Sequence, residues 1–161
     1  MYTKILVPLD GSVLSERAIP HARKIASDKG SEIVLVRAVA NPLTRLPESG
    51  IPDESAFMES LLEDSRRYLA EIAGSMNASG LKVRCEVREG EPEDVILAVA
   101  REEDADLIVM GTHGRSGISL LIMGSVAEKV MHATSRPVLF VKPEREARAE
   151  AVPVETRASV G

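Results

Sequence analysis

Apolar and polar positions along this chain alternate between two periods. Ile5-Leu6-Val7-Pro8-Leu9 is an unbroken apolar run closed by Asp10-Gly11-Ser12, which predicts a buried strand running into a turn. Ala18, Ile19, Ala22, Ile25 and Ala26 then recur on one helical face, with Ser12 or Ser15 as a cap and Lys29-Gly30 as the stop. Pro20 lies inside that pattern, so the helix either starts late or kinks there. Ile33-Val34-Leu35-Val36 predicts a second buried strand that runs on to Val39. The segment from Asn41 to Glu54 carries Pro42, Pro47 and Pro52 and reads as a long loop. Met58, Leu61, Leu62, Leu69, Ile72 and Met76 follow at helical spacing and predict a helix ending near Ser79-Gly80.

The third strand has a different pattern. Leu81, Val83, Cys85 and Val87 alternate with Lys82, Arg84, Glu86 and Arg88, so one face is wet. Glu91-Pro92-Glu93-Asp94 opens the next helix, with proline in the first turn and acids at the positive end of the dipole. Leu107-Ile108-Val109-Met110 is the fourth strand, Ser125 to Ala133 a short helix, and Pro137-Val138-Leu139-Phe140-Val141 the fifth strand. Strand and helix alternate throughout, which predicts an α/β fold: an open five-stranded parallel sheet with helices on both faces, Rossmann-like. The alternating third strand is expected at an edge. A fifth strand at the other edge would expose an apolar pairing surface, so a homodimer through Val138–Val141 is expected. Residues 1–143 form the predicted domain. Residues 144–161 lack Leu, Ile, Phe and Met and are expected to be a mobile tail.

Composition narrows the function. Twenty basic and twenty-five acidic residues give a net charge of −5, a poor match to nucleic acid. The single cysteine, Cys85, excludes an intrachain disulfide and a cysteine-based zinc site, and is expected to be a small core hydrophobe. With no signal-peptide pattern and no membrane-length apolar run, the expected location is cytoplasmic. Two Tyr, two Phe and no Trp argue against sites built on stacked rings. Any nucleobase would then sit between aliphatic side chains and backbone, with no aromatic residue used.

Ligands of open parallel sheets bind at the carboxyl ends of strands, where the strand order reverses. Two strand ends carry candidate chemistry. After strand four, Gly111-Thr112-His113-Gly114-Arg115-Ser116-Gly117 leads to Gly124-Ser125 at a helix start. Glycines there let backbone N–H groups approach an anion, the helix N-terminus favours negative charge, and Arg115 can supply a cation. His113 reads as a loop residue beside the site that can touch phosphate. After strand one, Asp10 is either a turn cap or a carboxylate that accepts from a ribose hydroxyl or holds a divalent ion through water. Neither G-x-x-x-x-G-K-[ST] nor G-x-G-x-x-G after strand one occurs, against P-loop hydrolysis and dinucleotide reduction. No nucleophile–base pair has supporting spacing, so binding is expected rather than turnover.

The spacing Gly111-x2-Gly114-x9-Gly124-Ser125, the opening Ile5-Leu6-Val7-Pro8-Leu9-Asp10-Gly11-Ser12 and the close Ser135-Arg136-Pro137-Val138-Leu139-Phe140-Val141 resemble the universal stress protein family over about residues 2–142. The resemblance implies the strand order 3-2-1-4-5, a dimer paired through strand five, and ATP lying across the ends of strands one and four, with or without Mg2+ or Mn2+. By position, Pro8, Ala38 and Met110 would border adenine, and Asp10 would meet ribose or metal-linked phosphates. Gly111, Gly114, Arg115, Gly124, Ser125 and Val126 would hold ribose and phosphates. The expected function is an ATP-binding regulatory or stress-response protein with an unidentified protein partner. Slow nucleotide hydrolysis on the same scaffold is the alternative. A phosphoacceptor signalling domain ranks third, because Asp10 stands alone after strand one and strand three runs into Arg88-Glu89-Gly90.

Overall fold

Five short strands lie in one parallel sheet, and their side chains alternate between two separate cores. The computed structural model describes residues 1–42, 53–112 and 123–142. In chain order the elements are β1 (Lys4–Pro8), α1 (Val13–Glu16), α2 (Ala18–Lys29), β2 (Glu32–Val39), α3 (Glu54–Ala78), β3 (Lys82–Glu89), α4 (Pro92–Glu102), β4 (Leu107–Gly111), α5 (Ser125–Ala133) and β5 (Val138–Val141). The sheet order is β3-β2-β1-β4-β5, with β3 and β5 at the edges as expected.

Alternation along the strands feeds the two cores. Ile5, Val7, Ile33, Leu35, Leu107 and Val109 pack with Ala18, Ala22 and Ala26 of α2 and with Leu69, Ala73 and Met76 of α3. Leu6, Val34, Val36, Ile108 and Met110 pack on the other face with Val95, Ile96 and Val99 of α4 and with Ala127 and Val130 of α5. Small alanines on α2 let that helix approach the sheet closely. Buried aliphatic side chains of this size each contribute about 1.5–3 kcal/mol.

Local signals set most boundaries. Ser12 caps α1 by accepting from the Ser15 amide. The chain then breaks at Arg17 and α2 starts at Ala18. Pro20 therefore falls in the first turn, where its missing N–H leaves no helical bond unmade. Gly30 closes α2 in the left-handed region at φ 69°. Cys85 departs from expectation: it is exposed, because β3 is an edge strand covered mainly by α3. Its Sγ lies 3.5 Å from the Leu69 carbonyl, and partial desolvation on that side, with the Glu86 charge, raises the thiol pKa. No helix among the described residues is long and apolar enough to cross a membrane. The predicted tail and most of the predicted long loop lie outside the described residues.

Candidate functional site

A crevice opens where β1 and β4 part. β1 pairs with β2 over five residues, from Lys4↔Glu32 to Pro8↔Val36. Its pairing with β4 covers only Ile5↔Leu107 and Leu6↔Ile108. The Leu9 amide donates to the Val36 carbonyl at 2.9 Å. The preceding residue's nitrogen therefore faces the β4 side, and that residue is Pro8, which has no N–H to give. The sheet separates there, at the reversal of strand order, and leaves a cavity of about 710 Å3.

The β1 side of the crevice is a tightly bonded turn. Asp10 Oδ1 accepts from the Ser12 amide at 2.9 Å. The Ser15 hydroxyl donates to the Ser12 carbonyl at 2.8 Å and accepts from the Asp10 amide at 3.3 Å. Gly11 sits at φ 82°, a conformation that side-chain-bearing residues rarely take. Asp10 therefore caps the turn and also lines the cavity.

The opposite side is the start of α5. Gly124 caps the helix without any side-chain hydrogen bond. Its carbonyl already accepts from Glu128 at 3.0 Å, which leaves the amides of Ser125, Val126 and Ala127 outside the intrahelical ladder. All three residues line the crevice. The Gly124 amide donates to the Thr112 carbonyl at 2.6 Å, and the Thr112 amide donates to Val141 at 3.1 Å. These bonds tie the end of β4 and the start of α5 to β5. The result is a donor-rich, positively polarised end facing a carboxylate-bearing turn, with apolar walls between. Such a site suits a ligand with an anionic end, a hydroxyl-bearing middle and an apolar body.

Eight of the residues singled out from sequence line this one crevice: Pro8, Asp10, Ala38, Met110, Gly111, Gly124, Ser125 and Val126. His113, Gly114 and Arg115 lie outside the described residues. Among the described residues no group of three or more His, Cys, Asp or Glu is placed to hold a metal ion. The crevice also contains residues that sequence reasoning passed over, notably Arg37, Phe57 and Thr112. Phe57 corrects the expectation of a site without aromatic residues. It stands one position off the buried stripe that holds Met58, is 39% exposed, and forms part of the wall. Its place beside the helical stripe, at the end of a proline-rich loop, was the signal.

Comparison with known proteins agrees with this architecture. The model of the universal stress protein family matches residues 1–142. A universal stress protein of Methanocaldococcus jannaschii is 36% identical over 148 residues, covering 91% of this chain and 86% of that protein. The solved structure of a second M. jannaschii protein, MJ0577, superposes with a TM-score of 0.80 at 30% identity, covering 90% of this chain and 99% of that one. A universal stress protein solved in complex with cAMP superposes with a TM-score of 0.60 at 27% identity, covering 88% of this chain and 97% of that one. On the match to the family model and to these relatives, the chain belongs to the universal stress protein family.

Proposed function

We propose that this universal stress protein is a regulator that binds ATP in the crevice between β1 and β4 and acts as a dimer. The observation that carries the reading is the convergence of the Asp10 turn and the open N-terminus of α5 on one cavity. Pro8, Ala38 and Met110 provide aliphatic walls for adenine. Asp10 accepts from ribose. The amides at Ser125 and Val126, with Gly111, Gly114 and Arg115 of the glycine segment, take the phosphates, and His113 stands beside them. A family relative solved with cAMP supports a nucleotide as the ligand class.

A divalent ion fits this site only as a companion of the phosphates. Two carboxylates line the crevice, Asp10 and Asp64, and Asp10 Oδ1 accepts from the Ser12 amide. Mg2+ typically keeps several waters and needs only one or two carboxylates beside substrate phosphates. Asp10 would hold such an ion through water, and the ion would neutralise phosphate charge.

The dimer reading rests on β5, an edge strand whose Leu139 is 37% exposed. Pairing of two β5 strands would cover that edge. Light scattering should give a dimer for the native chain and a monomer or aggregate for Leu139→Lys; an unchanged dimer counts against β5 as the interface. The central test is isothermal titration with ATP and Mg2+. Saturable binding is expected, and no binding at millimolar ATP by folded protein removes the reading.

A further inference from the structure

Three residues brace the Asp10 turn from the α3 side. Arg37 directly precedes Ala38 on β2, so its side chain leaves the opposite face of the sheet, on the α3 side of the same crevice. There its Cζ lies 4.8 Å from the centroid of the Tyr68 ring, within cation–π range. The Tyr68 hydroxyl donates to Glu16 Oε1 at 2.8 Å. The same guanidinium covers Gly11: a Cβ built there would stand 3.0 Å from Arg37 Nη1 and 3.3 Å from Nη2. Elements β2 and α3 and the β1 turn therefore meet around one cation, and α1 joins them through Tyr68. Burial, then the Glu16 hydrogen bond and charge, push the Tyr68 phenol well above its ordinary pKa, so its hydroxyl stays a donor. The Asp10 charge also acts on that phenol, which puts the carboxylate in the same electrostatic neighbourhood.

We propose that Arg37, held by Tyr68, which Glu16 in turn anchors through the phenol hydroxyl, is a positioning residue that fixes the Asp10–Ser12 turn and so aims the Asp10 carboxylate into the crevice. The inference rests on the nucleotide reading for its ligand but not for its geometry. It also links α3 to the site. The helix that carries Tyr68 sends Phe57, Leu61 and Ser65 into the crevice wall, so displacement of α3 reaches Asp10 through Arg37.

A double-mutant cycle with ATP tests the link. Arg37→Leu is expected to weaken ATP binding about tenfold in the native background and less than about twofold in Asp10→Asn, because coupled residues are non-additive. An equal loss in both backgrounds would show that Arg37 acts without Asp10, and no loss in either would show that it does not act; each overturns the proposal. Hydrogen exchange of the Ser12 amide, without nucleotide, is the second measurement. Protection should fall in Arg37→Leu and in Tyr68→Phe, with Arg37→Lys intermediate; unchanged protection in all three overturns the proposal. Tyr68→Phe removes one oxygen and carries the test if Arg37→Leu fails to fold. Native protein that binds no ATP would sink the nucleotide reading, while the exchange experiment would still decide the positioning role.

Discussion

The two ends of the sheet are built for opposite purposes. At the amino ends, charge is matched with charge. Lys4 Nζ lies 3.2 Å from Glu103 Oε2 and 3.7 Å from Glu32 Oε2. Arg84 meets Glu32 at 2.6 Å and also pairs with Glu103. Asp106 accepts from the Thr3 amide and hydroxyl, both at 2.8 Å, and from the Lys4 amide at 3.0 Å. At the carboxyl ends stand a glycine turn, a helix start without a side-chain cap and a cavity. Chain direction explains the difference. In a parallel sheet every crossover helix starts at the carboxyl side, so the helices' donor ends collect there. The helix carboxyl ends and the strand starts share the other side, where cations and carboxylates can satisfy one another. The contrast teaches that free helix donors and the cavity collect on one rim, and changes on the two rims should separate nucleotide affinity from stability.

The sharpest way to break that separation is at Gly124. Gly124→Val puts a branched side chain at the start of α5, in the wall of the crevice. We expect about a hundredfold loss of ATP affinity, near 2.7 kcal/mol, with a melting temperature lowered by only a few degrees as the cost of a poor cap. Unchanged affinity by titration would place the phosphates elsewhere. The mirror experiment is Asp106→Ala, which deletes a carboxylate accepting three hydrogen bonds. Hydrogen bonds to charged groups of this kind lead us to expect about 2 kcal/mol of lost stability. ATP affinity should stay within about twofold. A large affinity loss would mean that the two rims are coupled through β1 or β4.

Gly11→Ala should give a smaller effect that crosses the divide. At φ 82° an alanine is strained by about 1–2 kcal/mol, and its Cβ would press on the Arg37 guanidinium. We expect about 1 kcal/mol of destabilisation together with weaker ATP binding. Native stability and native affinity in this variant would show that the turn is more yielding than its bonding suggests.

How much of this was legible in the sequence follows from what local pattern can carry. Buried parallel strands are apolar on both faces, so β1, β2, β4 and β5 stood out, and the alternation in β3 marked it as an edge. Strand order is a long-range property, and 3-2-1-4-5 came from the family resemblance, not from any local run. Pro8 was counted as one more apolar residue of β1, although its missing N–H falls where the sheet opens. Arg37 lies inside the run that carries β2 on to Val39. A cation between Val36 and Ala38, in a strand apolar from Ile33 onward apart from it, is a signal in its own right, because an uncompensated buried charge is costly. The pairing of Arg37 with Tyr68 joins β2 to α3 across 31 positions, and no periodicity shows such a contact. The crevice lining was legible where backbone chemistry makes it, at Gly124 and the Asp10 turn, and less so where side chains from distant elements complete it.

The smallest expected effect is the most specific to the amino rim, and it is a dependence on pH. Pairing with Arg84, and then with Lys4, holds the Glu103 carboxyl below its ordinary pKa despite partial burial. At Asp106 burial works in the other direction, but hydrogen bonds from Thr3 and Lys4 outweigh it, and the net shift is again downward. A carboxylate with a depressed folded pKa stabilises the native state fully above its unfolded value, and that stability is lost as pH falls through the folded value. Unfolded carboxylates titrate near about 4. Denaturant unfolding should therefore give constant stability from these groups above about pH 5 and a decline below about pH 4. Asp106→Asn should flatten part of that decline, because its side chain carries no proton to take up. The same acid limb in the native chain and in Asp106→Asn would show that the amino rim does not draw its stability from the charged form of Asp106, and the contrast between the rims would then rest on the Lys4, Glu32, Arg84 and Glu103 pairs alone.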